Sequence, residues 1–181
     1  PRWRWRLGGF FNQVKDLISV EIAKQQKIAG VIDYVYKNVE RARTAGGDVS
    51  ARLKANDHAS FEAAYAYLWT RDLDSGEELP NRPPHTVTLS ALLELDRLSA
   101  TLRYRVTSSA FAGTIDDLPR HSPAFDLLDA RVSYRLWPAL NLFVGALNLT
   151  DSRRVTLEPT DTRPVLGRQV YVGLSGDAPA D

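Results

Sequence analysis

The stretch from Leu98 to Thr107 constrains this chain more than any other. Leu98, Ala100, Leu102, Tyr104 and Val106 alternate without a break with Ser99, Thr101, Arg103, Arg105 and Thr107. A period of two over that length gives a strand with one apolar and one polar face. A helix would set Arg103 among Ser99, Leu102 and Val106 and blur both faces. Similar runs lie on either side. His85 to Leu93 sets Val87, Leu89, Ala91 and Leu93 against Thr86, Thr88 and Ser90. Ala124 to Leu136 sets Leu128, Ala130, Val132, Tyr134 and Leu136 against Asp129, Arg131, Ser133 and Arg135. Phe61, Ala63, Tyr65, Tyr67 and Trp69 line one face of another run, with Ser60, Glu62 and Thr70 on the other. Leu140, Leu142, Val144 and Ala146 give a shorter strand, and Gln169 to Ser175 the last. Upstream, Trp3 to Val14 begins the series. Val31 to Lys54 reads as one long strand interrupted by a bulge at Gly46-Gly47. Between them, Lys15 to Ala29 carries Leu17, Ile18 and Ile22 at near-helical spacing. We read strand to about Val20 and then a loop, with a short helix as the alternative.

The connections add an asymmetry. Ala55–His58, Glu94–Arg97 and Trp137–Leu140 have the length of tight hairpins, about four residues each. The links Leu73–Pro84, Ala110–Pro123 and Leu149–Gly167 run to about 12, 14 and 19 residues, beyond the usual loop length and so expected to carry function. Short and long alternate, so consecutive antiparallel strands place the turns at one end and the long loops at the other.

Composition narrows the classes that remain. With 23 Lys+Arg against 22 Asp+Glu, the net charge of +1 excludes a strongly basic nucleic-acid footprint. The absence of Cys removes disulfide frameworks, thiolate zinc sites and cysteine nucleophiles. No run approaches the roughly 18 apolar residues of a membrane helix. The hydrophobic share of 44% is that of a folded chain rather than a disordered one. The chain contains no Met and begins Pro1-Arg2-Trp3, which suggests a processed, trimmed or partial product.

Strands of roughly ten residues, alternating faces, and turns segregated from loops form the pattern of an outer-membrane β-barrel. In lipid every backbone polar group needs an internal partner, and a closed barrel supplies one for strands. Phe61 and Trp69 bracket one strand and Trp137 sits at a turn, as an interfacial aromatic girdle requires. A soluble sandwich or a lipocalin-like ligand-binding barrel shares the alternation, and the loop asymmetry argues against both. The expected fold is therefore all-β, an antiparallel up-and-down meander of about eight strands forming part of a transmembrane barrel.

Four segments then resemble the TonB-dependent outer-membrane receptors. Tyr36-Lys37-Asn38-Val39-Glu40-Arg41-Ala42-Arg43-Thr44-Ala45-Gly46-Gly47-Asp48 resembles that family's Y-x-N-x-x-x-A-x-x-x-G-x-E strand, with Asp48 where Glu is usual. Leu79-Pro80-Asn81-Arg82-Pro83-Pro84-His85 resembles its proline-rich return from an extracellular loop. Asn148-Leu149-Thr150-Asp151 resembles its N-L-[FT]-D element, and Gly167-Arg168-Gln169-Val170-Tyr171-Val172-Gly173-Leu174 its final strand. Their order and hairpin spacing cover nearly the whole chain. The resemblance implies that residues 1–176 are the C-terminal segment of a receptor barrel, of which about 22 strands close the whole. The family ends on an aromatic residue, whereas this sequence ends Gly176-Asp177-Ala178-Pro179-Ala180-Asp181, so residues 177–181 read as a disordered tail. Implied with it are a bacterial outer-membrane location and TonB-dependent uptake of a scarce ligand such as a ferric siderophore or a cobalamin-like compound. The implied partners are a plug domain and the rest of the barrel, the TonB complex acting through that plug, outer-membrane lipid, and a small-molecule metal chelate. The rival is a small closed eight-stranded outer-membrane barrel with a structural or lipolytic role, which requires the first and last strands to pair.

Catalytic machinery is not legible: no nucleophile elbow, phosphate loop or zinc-protease helix appears, and no enzyme, cofactor or resident metal is expected. A metal site would need His85 and His121 to converge with Asp116 or Asp117, away from His58 at the short-turn end; ordinary loop histidines are the simpler reading. Asn148-Leu149-Thr150 matches a glycosylation acceptor, but the barrel motif accounts for it better. Arg103, Arg105, Arg131 and Arg135 lie on polar faces, where they line a lumen or meet a plug, or form a solvated wall paired with acids such as Asp129. Arg71, Asp72, Asp74, Glu77 and Glu78 crowd one long loop, either solvated or capturing ligand.

Overall fold

The computed structural model describes residues 2–22, 34–115, 118–153 and 165–176, and none of these residues is helical. The strands are β1 (Trp3–Ile22), β2 (Tyr34–Lys54), β3 (Ala59–Asp72), β4 (His85–Glu94), β5 (Leu98–Thr107), β6 (Ala110–Ile115), β7 (Leu118–Ser122), β8 (Phe125–Trp137), β9 (Leu140–Leu147) and β10 (Gln169–Gly176). Eight of them form one antiparallel sheet in the order β1-β2-β3-β4-β5-β8-β9-β10. β6 and β7 form a separate hairpin inserted between β5 and β8. The meander is as expected.

Register turns the local alternation into two continuous faces. One row of cross-strand partners runs Trp3, Leu53, Phe61, Ala91, Leu102, Ala130, Ala146, Val170, apolar across the whole sheet. The neighbouring row runs Arg4, Arg52, Glu62, Ser90, Arg103, Asp129 on the opposite face. Among the described residues no second layer covers the apolar face: Trp5 is 75% exposed and Val172 73%. An apolar surface of that extent is untenable in water and suits contact with lipid. On β1 the band runs from Trp3 to Phe11, roughly 27 Å along the strand, or about 20 Å once the usual barrel tilt is applied, close to the height of a barrel's apolar belt. A two-layer sandwich is not what forms.

Three expectations change. The strand through Lys15 continues to Ile22 rather than ending near Val20 or turning helical, with Asp16 at φ 57° inside it. Residues 23–29, the remainder of that segment, lie outside the described residues. The second change is at Gly46-Gly47, where the register of β2 with both neighbours runs through unbroken and there is no bulge. Glycine is needed there for room: the Phe10 ring lies where a Cβ on Gly46 would be. The same arrangement recurs at the far edge, with Tyr171 over Gly145 and Phe143 over Gly173. Third, Ala110–Pro123 is no open loop but largely the β6–β7 hairpin, irregular between Phe111 and Gly113.

β1 and β10 are the two edges of the large sheet and do not pair with each other among the described residues. The closed eight-stranded alternative therefore does not form. An open sheet of this kind is what part of a larger barrel presents.

Candidate functional site: the long-loop end and the polar face

Sheet residues exposed on both faces leave little to bury, and burial concentrates at the end where the long connections leave. Among the described residues the buried ones are Ala42, Thr70, Asp72, Leu79, Thr107, Ala110, Phe111, Ala112, Ser122, Gly145 and Asn148. None lies at the short-turn end. Those that belong to β2, β3 and β5 point to the polar side by register, so the long connections fold back over the polar face.

The 73–84 connection is built from its first carboxylate outward. Asp72 Oδ1 accepts from Asp74 N at 2.8 Å and Ser75 N at 3.4 Å, and Gly76, at φ 75°, returns its N–H to Asp72 O at 3.0 Å. This is the turn chemistry that an Asp with a downstream glycine favours. Arg41 then holds Asp74 twice, through its backbone N and its guanidinium, each at 3.1 Å. Leu79 closes the loop by packing on Ala42, and its N–H reaches Thr70 Oγ1 at 3.1 Å. The crowd of charge expected to be solvated is thus half structural.

That loop docks on the inserted hairpin. Asn81 N donates to Phe111 O at 2.7 Å, and Thr114 Oγ1 to Glu77 Oε1 at 2.9 Å. β6 also reaches β1, although it follows β5 in the chain. The proline-rich return, Leu79 to His85, is therefore the brace between two long connections.

Asn148 organises the third connection. It adopts φ 52°, a conformation that Asn tolerates better than most residues. Its Nδ2 donates to Ser152 O and Leu166 O, both at 2.9 Å, while its Oδ1 accepts from Ser152 N and Thr150 Oγ1. Its own N–H donates to Asp129 Oδ1 at 2.9 Å. A side chain so committed, and only 4% exposed, is no acceptor for a glycan. Asp151, three residues on, accepts from Arg168 N at 2.8 Å and pairs with Arg153. The Arg168 amide, ahead of the Arg153 side chain, holds the Asp151 carboxyl below its ordinary range. The N-L-T-D and G-R segments, far apart in sequence, meet here.

The remaining candidates separate. His85 accepts or donates through Nδ1 to Tyr65 Oη at 2.8 Å, stacks on the Tyr65 ring and meets the Tyr67 ring at a tilt. His121 meets the edge of Phe111, and His58 Nδ1 contacts Glu94 O at the short-turn end. No group of three or more His, Asp or Glu gathers as a metal site among the described residues. Asp116 and Asp117 lie outside them. Asp129 faces Arg103 by register but is spent on Asn148, and Arg131 stacks on Phe143 at 4.1 Å instead of pairing with Asp129. Arg105 and Arg135 sit on the same polar face. Further along it, toward the short turns, Arg2, Arg4, Arg52 and Lys54 line a hollow of about 290 Å³. There Lys54 bonds Asp57 at 2.8 Å, which lowers the Asp57 carboxyl pKa. These residues provide a cationic wall with polar contacts and no assembled nucleophile.

The comparisons with known proteins follow this geometry. The family model described as "TonB dependent receptor-like, beta-barrel" matches residues 1–149. The chain belongs to that family. Its members are receptors rather than enzymes, and the solved structures it resembles are transporters and receptors. The copper transporter OprC superposes with TM-score 0.74 at 20% identity, covering 97% of this chain and 29% of that one. The siderophore receptor PirA from Acinetobacter baumannii gives 0.72 at 17% identity, over 97% and 29%. The ferric citrate transporter FecA gives 0.55 at 26% identity, over 74% and 22%. The chain thus spans less than a third of the length of these structures. No curated protein matches it.

Asp48, at the family's Glu position, lies over Gly8, whose missing Cβ makes room for the carboxylate. Sequence reading missed the packing of Leu79 on Ala42 and the burial of Phe111. An apolar Leu79 at the head of a proline-rich loop was the available signal for the first. The second depends on where the hairpin folds, which no local pattern carries.

Proposed function

We propose that residues 1–176 form the C-terminal segment of the barrel of a bacterial outer-membrane receptor, acting in TonB-dependent uptake of a scarce ligand such as a ferric siderophore or a cobalamin-like compound. The observation that carries this reading is the open eight-stranded sheet of a receptor-barrel family, apolar on one face and cationic on the other. The apolar face meets outer-membrane lipid, and the two free edges pair with the rest of the barrel. The polar face with Arg103, Arg105, Arg131 and Arg135 forms lumen wall against a plug domain, through which the TonB complex acts. The braced long connections face the cell exterior, as loops of outer-membrane barrels do, and present a shaped surface to a metal chelate. The disordered tail expected at residues 177–181 lies outside the described residues.

The test is uptake by the full-length receptor in cells. Deleting the gene should abolish accumulation of one labelled ferric siderophore or cobalamin, and loss of TonB should do the same. Uptake that survives TonB loss, or a protein that partitions into the soluble fraction without detergent, would sink the reading.

A further inference from the structure

The outer face changes character abruptly at the long-loop end of β1–β3. The row Phe11, Ala45, Trp69 closes the apolar band. The next row on the same face is Gln13, Arg43, Arg71, and the one after it pairs Lys15 with Arg41. Arg43 and Arg71 stand directly opposite each other, an arrangement that repels unless an anion lies between them. Arg41 has Asp74. Lys15, Arg43 and Arg71 are exposed and have no acidic partner among the described residues. On the sheet's other half the outer face carries an acid instead, Asp126, in the row of Tyr65, Val87 and Val106.

We propose that Lys15, Arg43 and Arg71 bind the phosphate-bearing headgroup of a membrane lipid whose chains lie on the apolar band below. The proposal rests on the membrane reading above. Guanidinium forks match phosphate oxygens two at a time, and two facing forks enclose a phosphate that a single one would only graze. Phe11, Trp69 and the Tyr65, His85 and Tyr67 rings form an aromatic ledge at the boundary, where amphipathic rings settle in a bilayer. Charge and apolar surface are thus continuous in the order that a lipid presents them.

The test uses the full-length receptor in mixed micelles, with lipid retention read by native mass spectrometry. Wild type should retain phosphatidic acid over phosphatidylcholine. R43Q/R71Q and K15Q/R43Q/R71Q should lose that preference by about fivefold for each cation removed. R4Q, on the polar face, should leave it unchanged, and millimolar inorganic phosphate should not displace the lipid. Equal retention of the two lipids by wild type overturns the proposal, as does an equal loss in R4Q or ready displacement by inorganic phosphate. Heat-modifiable migration on gels is read in parallel. A wild type that shows it without lipid preference defeats this proposal alone, whereas a wild type that lacks it defeats the membrane reading as well.

Discussion

The two ends of the sheet reverse the chain by opposite means, and two asparagines show the difference. At the short-turn end, Asn56 Oδ1 accepts from His58 N at 2.9 Å and Ala59 N at 2.8 Å, in full contact with solvent. At the long-loop end, Asn148 uses both side-chain atoms and its backbone N–H, is buried, and ties together residues 129, 152 and 166. A four-residue turn inherits its shape from the strands it joins. A connection of some twenty residues has no such guide and needs its own buried anchors. That is why the packed interior of this protein lies beneath its loops and not within its sheet. On the proposed membrane reading, lipid takes the place of a core for one face, so side-chain packing is required only where strand hydrogen bonds stop.

The comparison breaks soonest if the sheet between the two ends does not lean on lipid. Leu102→Arg in the middle of the apolar band should destabilise the receptor by up to about 4 kcal/mol, whereas Thr101→Arg on the polar face should cost under about 1 kcal/mol. Denaturant unfolding in lipid vesicles measures both, and equal costs would remove the distinction between the faces. Next in size is the contrast between the asparagines. Asn148→Ala strips the Ser152 and Leu166 carbonyls of their donor, leaves the Asn148 position without its buried side-chain bonds and puts Ala at positive φ, for a loss of about 3 kcal/mol. Asn56→Ala gives up an exposed turn bond and should lose about 1 kcal/mol. Protease cleavage of the long connections should rise in the first variant only.

The smallest effect sharpens the comparison through pH and salt. The carboxyls of Asp57 and Asp151 both titrate below the ordinary 3.8. A lowered folded-state pKa stabilises above the unfolded value and is lost as pH falls through it. Acidification below about pH 4 should therefore loosen both connections. Added salt should weaken the Asp57 interaction more, because its leading partner is the exposed Lys54 ammonium while that of Asp151 is a backbone amide. Carboxylate resonances followed by NMR, with D57N and D151N as assignments, check this.

Much of the fold was legible because period-two alternation is a local property. Leu98–Thr107 announced both faces of β5, and the spacing of turns announced which end was which. The motif segments gave the family. What escaped depended on neighbours distant in sequence. Gly46-Gly47 looks like a bulge when β2 is read alone and becomes a seat for Phe10 once β1 is beside it. Ala110–Pro123 looks like a loop because its strands are short and its Gly113 disturbs the alternation, yet it folds as a hairpin. Asp129 looks like a partner for arginine until Asn148 claims it.

Local pattern alone makes this chain form long amphipathic strands joined alternately by tight turns and long connections, since side-chain direction along a strand follows from backbone geometry. Register, closure and burial were decided by the tertiary structure. Only cross-strand pairing brings Arg43 opposite Arg71, leaves β1 and β10 as separate edges, and sets Leu79 on Ala42. Such contacts join residues far apart in the chain, and no short-range pattern encodes them.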